Sequence, residues 1–549
     1  MLIKLTGGIV YDPAQKLNGE IQDLFIQDGV IVKAPSANIK IDHVYDVTGK
    51  VVMAGAIDIH THIAGGNVNT ARVLLPEQHR NHMARRLNQP FSTAKWSTTD
   101  IGYRYARMGY TSVVEPAMLP VNALDVHLQM ADIPILDTGA LAILGNDDLL
   151  LRLMRDKASQ AQINDYVGWT LHATRALGLK VINAGGANAF KSNARQFDLD
   201  DIVPDYGVSS RQILQTLQRA TFDLGVPHPV HVHCNNLGVP GNVETVLATM
   251  EAAQGLPMHL AHVQFYAYGK EGTRGFSSAA AQLMEGFRRY PNISMDVGQV
   301  LFGQTVTISG DVIAQYSRHQ DASPNKWLMW DAECEGSGGV VPYRYRETSF
   351  VNGLQWAIGL EMFLLAEDPS RVFFTTDHPN GAPFTCYPQL FRLLMDYEYR
   401  LACLEKLHPD VVAMTLLKDL KKEFSFYEIA VMTRTAAANL LGLTDRGHLA
   451  PGAIADIAVY APNDNKKVMF DRAALVFKNG CLVVRDGDII ERLSGQAQTI
   501  CPNYDSSIRR VVQKHFDRFY SLSLNNFTVS DVDFAQSDQQ RFMVHACRH

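Results

Sequence analysis

Along the chain, apolar positions fall into two rhythms. From about 55 to 445, short apolar runs recur with helix-compatible segments between them. These runs are AGAIDIHTH, TSVVEPAM, ILDTGALAILG, LKVINAGG, PVHVHCNN, MHLAHVQF, ISMDVGQVLF and VFFTTDHPNG. Strands alternating with helices predict parallel βαβ units, and eight of them predict a closed (β/α)8 barrel of the α/β class. Residues 1–54 and 446–499 have another texture: β-branched runs split by Gly-containing turns such as Asp28-Gly29, Asn479-Gly480 and Asp486-Gly487. Such turns between period-2 runs are hairpin signals. One small β domain built from both chain ends is expected.

The spacing is uneven before the last strand. Residues 303–371 are far more than a crossover needs and are expected to form an insertion, Gly-rich and then amphipathic. Beyond 500 the strand rhythm fades, and this tail is expected to cover the barrel or meet a partner.

Composition narrows the function classes. The 549 residues are 46% hydrophobic and 19% charged, enough apolar material for a large core and too mixed for disorder. Lys+Arg 50 against Asp+Glu 56 gives a net charge of −6, which argues against a dedicated nucleic-acid binder. No apolar run approaches the ~18 residues of a membrane span. Seven scattered cysteines without a CxxC pair suit neither a disulfide framework nor an iron–sulfur site. A soluble, cytoplasmic protein is expected.

The candidate chemistry sits at the strand ends. Residues two apart on a strand share a face, so His60 and His62 can address one point at the mouth of the first strand. Barrel active sites lie at the C-terminal strand ends, and imidazole suits zinc. His233, His262 and Asp377 end later strands. Each has a bland reading as a core histidine or a helix cap, but convergence on one rim favours a metal site. His231 and His259 lie one step deeper and read as core or supporting histidines. His378, by alternation, takes the face opposite Asp377 and is expected either behind the ligands or facing outward. Lys180 either snorkels outward or points into the barrel. Inward, desolvation would favour its neutral amine, which can add carbon dioxide to give a carbamate. Cys234 reads as a small buried residue rather than a nucleophile. Asn235 and Asn236 are candidate substrate donors or plain turn residues. Arg72 and Arg80, in a Gly-rich loop at 64–82, could form a wall that meets an acidic group.

With its β frame, HxH, strand-four Lys, fifth- and sixth-strand His and Thr376-Asp377-His378, the chain resembles the amidohydrolase superfamily. Gly178–Asn183, His233–Gly238, Glu333-Cys334-Glu335 and Gln355–Glu361 further resemble the A subunits of formylmethanofuran dehydrogenase and of the bacterial formyltransferase/hydrolase complex. The resemblance implies that His60 and His62 bind one zinc, and that carboxylated Lys180 bridges it to a second held by His233 and His262. It also implies that Asp377 is both ligand and acid/base. The implied reaction is hydrolysis of the N-formyl amide of formylmethanofuran, or an analogue, to formate and amine by a zinc-activated hydroxide. The implied setting is a hetero-oligomeric one-carbon complex, the bacterial version favoured over the archaeal. A cyclic-amide hydrolase such as dihydropyrimidinase shares the metal set without the Cys-Asn-Asn context. A non-catalytic scaffold would not need all six ligand positions filled, and a one-metal deaminase would not need Lys180.

Overall fold

The computed structural model describes residues 1–74, 98–192, 194, 197–272, 274–309, 330–331, 339–534 and 541–548. Eight parallel strands form the central sheet in chain order: Ala56–Asp58, Tyr110–Met118, Asp137–Leu144, Gly178–Ile182, Val230–His233, Met258–Leu260, Ile293–Asp296 and Val372–Phe373. The sheet curls until its ends meet. That closure is a single parallel bridge, Thr61 to His378, with His62 N donating to His378 O at 2.8 Å, rather than a continuous ladder. Each of the eight sequence segments coincides with one of these strands, the second and fourth strands starting one residue earlier, at Tyr110 and Gly178. The sixth, seventh and eighth are shorter than their apolar runs: they end at Leu260, Asp296 and Phe373, and His262, Gly298 and Asp377 beyond them take positive φ.

Both chain ends build a nine-stranded sheet, joined where Val51–Ala54 runs antiparallel to Ile457–Tyr460. Its own core holds Leu5, Val10, Ile26, Val52, Val459 and Phe477. The tail beyond it is regular rather than irregular. Ala497–Ile500 joins the barrel sheet beside Asp137–Leu144, and Phe542–His545 pairs with it. The helix Ile508–Phe519 is amphipathic, burying Ile508, Val512 and Phe516, and Phe516 packs edge-on against Phe527, which stacks on Trp169 of the barrel layer.

The 303–371 segment also differs from expectation. Gly303–Ser309 and Gly339–Tyr345 pair antiparallel, with Trp330–Asp331 alongside. The following helix, Phe350–Leu365, is buried on every side from Phe350 to Leu364 rather than amphipathic. It is the crossover helix between the seventh and eighth strands, enclosed between the barrel and further helices, so it has no wet face. Glu333-Cys334-Glu335 and Arg80 lie outside the described residues.

Candidate metal centre at the strand ends

His60 and His62 both face the same interior point, as period-two alternation requires. Asp377 Oδ1 lies 3.0 Å from His60 Nε2 and 3.3 Å from His62 Nε2. The opposite ring nitrogens are taken by other carboxylates. His60 Nδ1 is 2.9 Å from Asp296 Oδ2, and His62 Nδ1 is 3.0 Å from Glu115 Oε1. A neutral imidazole that donates through Nδ1 presents its Nε2 lone pair, here towards the common centre.

His262 completes a set with His60 and Asp377 whose ligand atoms lie within 4.8 Å of one another. His233 sits beside it, ring centroids 4.6 Å apart. His262 and Asp377 adopt φ of +36° and +50°, sparsely populated conformations that turn both side chains inward just past their strands. Gly298 makes room, since a Cβ there would lie 2.4 Å from that of His262.

Lys180 points inward. Its Cα is in register with His231, which pairs in turn with His259, so the three share one interior layer. It is 1% exposed, and its Nζ has no hydrogen-bond partner among the described residues. Burial pushes its pKa down to about 8, against the pull of Asp296 and Asp377. His60 Nε2 and His262 Nδ1 are likewise buried without a hydrogen bond of proper geometry.

The buried imidazoles and carboxylates shift one another strongly. Burial would lower His62, but the carboxylates of Glu115 and Asp377 outweigh it and lift the ring to about 9. Burial would raise Asp377, but His262 and His60 hold it well below the usual carboxylate range. Orphaned buried nitrogens, buried carboxylates and an imidazole-rich donor set fit a zinc-like ion.

Two supporting carboxylates have no motif to mark them in the sequence. Asp296 ends the seventh strand and also accepts from His262 N at 2.8 Å and Thr375 Oγ1 at 3.0 Å, with His259 Nε2 at 3.2 Å. Glu115 accepts from Ile63 N and Ala64 N at 2.6 and 3.0 Å, fixing the turn after the HxH. Their one signal is position: an acidic residue near the end of an apolar run.

Asn235 and Asn236 are not drawn into the cluster. Asn235 donates to Ser210 Oγ at 2.9 Å, and Asn236 braces Phe197 N and Asp198. Alternation leaves His378 a place behind the ligands or facing outward, and the structure puts it beside His62. The positive φ of Asp377 breaks the alternation, and His378 lines a cavity of about 380 Å³ together with His62. Burial lowers His378 to about 3. The helix Gly66–Val73 and the 303–309 strand wall this cavity, and Arg72 lines it while donating to Ile63 O and Asn69 Oδ1. Cys234 is buried.

Residues 43–490 match the amidohydrolase family. The chain is 46% identical over 542 residues to the A subunit of the formyltransferase/hydrolase complex Fhc of Methylorubrum extorquens, covering 98% of each. It is 37% identical over 563 residues to the protein FwdA of Methanocaldococcus jannaschii, covering 97% of each. Among solved structures, the FhcABCD complex of M. extorquens with methylofuran superposes at a TM-score of 0.92 and 45% identity, covering both chains fully. A D-aminoacylase superposes at 0.51 with 15% identity over 90% of this chain and 99% of its own, a likeness of fold alone. No helix among the described residues is long and apolar enough to cross a membrane.

Proposed function

Since the chain belongs to the amidohydrolase family, we propose that it is the hydrolase component of a formyltransferase/hydrolase complex. Its reaction would be hydrolysis of the N-formyl amide of formylmethanofuran, or of an analogue such as formyl-methylofuran, to formate and free amine. The carrying observation is Asp377 Oδ1 placed 3.0 and 3.3 Å from the two Nε2 atoms of the HxH pair, whose Nδ1 atoms are held by carboxylates. The higher identity to the bacterial relative, 46% against 37%, favours the hydrolase complex over the archaeal dehydrogenase. Cytoplasmic location is part of the same proposal.

His60, His62 and Asp377 would hold one zinc, and Lys180, His233 and His262 a second, with Lys180 as a bridging carbamate. Such an ion supplies a water whose pKa falls from 15.7 towards ~7 and polarises the formyl carbonyl. Asp377 takes the proton of the attacking water and returns it to the nitrogen as the C–N bond breaks. General acid–base help of this kind is typically worth about 10²–10⁴-fold. Leu301, Phe302 and Phe384 wall the adjoining cavity, where the amine side of the substrate would sit and water be displaced.

The test is formate release from N-formylmethanofuran by the assembled complex, with chelated and Asp377→Asn samples alongside. Formate from wild type, abolished by chelation and reduced at least 100-fold in the variant that still holds metal, is expected. No formate from a zinc-loaded, assembled sample sinks the substrate assignment, and near-normal turnover by the variant sinks the role of Asp377.

A further inference from the structure

Below the candidate centre, three histidines stand in line through the barrel interior. His60 Nδ1 lies 3.2 Å from His231 Nε2, His231 Nδ1 lies 3.1 Å from His228 Nε2, and His228 Nδ1 lies 3.4 Å from the main-chain carbonyl of Leu440. All three rings are 0% exposed. The line starts at the mouth, passes one layer down through the fifth strand, and ends before that strand begins.

The far end dictates the rest. A carbonyl oxygen only accepts, so His228 Nδ1 must carry a hydrogen. A neutral His228 then has a bare Nε2, and His231 Nδ1 must donate to it. The bare Nε2 of neutral His231 in turn requires hydrogen on His60 Nδ1. That hydrogen is shared with Asp296 Oδ2 at 2.9 Å, and His60 is left with its lone pair on Nε2, facing Asp377 and His262. His228 and His231, whose hydrogen-bond partners are imidazoles and a main-chain carbonyl, have no water to support charge and are neutral. His60, between the carboxylates of Asp296 and Asp377, carries its Nδ1 hydrogen whatever its charge. Asp296 imposes the same hydrogen on His60 Nδ1, but its oxygens are shared with His259 Nε2 at 3.2 Å, His262 N and Thr375 Oγ1, so the histidine line is a second hold on the ring from the other side.

We propose that His228 and His231 are positioning residues that lock the tautomer and ring orientation of His60 from the opposite end of the barrel. The inference rests on the reading of His60 as a metal ligand. It also gives a role to two buried histidines that the reaction does not otherwise use. Gly178 permits the approach of His228, whose Cδ2 would lie 3.3 Å from a Cβ at that position.

The experiment measures zinc affinity of the full-length chain by chelator competition, with the visible spectrum of the cobalt-substituted protein and the melting temperature of the metal-free form. His228→Gln keeps an acceptor for His231 and a donor for Leu440, whereas His228→Leu keeps neither. Loss of a partner behind a metal ligand typically costs about 10–100-fold in affinity. Expected are a loss of at least 10-fold and a changed cobalt spectrum in His228→Leu and His231→Leu, with His228→Gln within threefold of wild type. If both Leu variants lower only the melting temperature and hold zinc as tightly as wild type, the positioning role is overturned. A His228→Gln variant as weak as His228→Leu overturns it too. A wild-type chain that binds no metal instead overturns the metal reading on which it stands.

Discussion

Glu115 holds His62 by Nδ1 at 3.0 Å, across 53 residues of sequence, and with its other oxygen gathers the amides of Ile63 and Ala64. One carboxylate thus sets the ring and the turn that carries it. Glu115→Ala should lower metal affinity about 10–100-fold, as expected for loss of a partner behind a ligand. It should also lower the melting temperature, because two buried amides lose their acceptor at about 1–3 kcal/mol each. Chelator competition and calorimetry read the two effects separately; unchanged metal affinity would remove Glu115 from the site.

Lys180 is an inward amine with no hydrogen-bond partner among the described residues and a pKa held down to about 8 by burial. A neutral amine of this kind adds carbon dioxide with release of one proton. Native mass spectrometry of metal-loaded protein should show the added mass of one carbon dioxide, absent in Lys180→Ala. Turnover lost in that variant should be partly restored by a small added carboxylate. No added mass in active wild-type protein would leave Lys180 as a plain amine.

Gly298, at φ +69°, abuts the backbone and Cβ of His262. Gly298→Ala adds a strained conformation, costing about 1–3 kcal/mol, and drives a methyl into a ligand. A displacement of reacting groups by about 1 Å can cost ~10²-fold. We expect turnover to fall by about that factor while the chain still folds, checked by kcat and circular dichroism.

Asp137 joins the domains from within. It accepts from Lys478 Nζ at 2.7 Å and from Arg446, both buried, and Lys478 also reaches Asp456 at 2.7 Å. Burial would raise its pKa, but Lys478 and Arg446 hold it down to about 2. A folded-state pKa below the unfolded value means stability fully present above about pH 4 and lost as pH falls through 2. Asp137→Asn should cost about 3–5 kcal/mol near neutrality, since it strands buried cations. The gap between variant and wild type in denaturant titrations should narrow from pH 5 to pH 2; a constant gap would contradict the ion-pair account.

What the sequence determined by itself is what short-range periodicity encodes. Alternation placed His60 and His62 on one face. Eight apolar runs announced the eight parallel strands, and Gly turns at both ends announced a shared sheet. Alternation says which residues share a side, but only the curl of the sheet says which side is inside, so Lys180 is ambiguous until the strands are assembled. Likewise alternation alone leaves His378 either behind the ligands or outward, and only the positive φ of Asp377 brings it to the cavity beside His62. Asp296 reaches His60 across 236 residues and Glu115 reaches His62 across 53, contacts made by strand order alone. The buried helix Phe350–Leu365 and the paired tail strands were decided the same way, because burial and pairing depend on neighbours that the chain brings together only on folding.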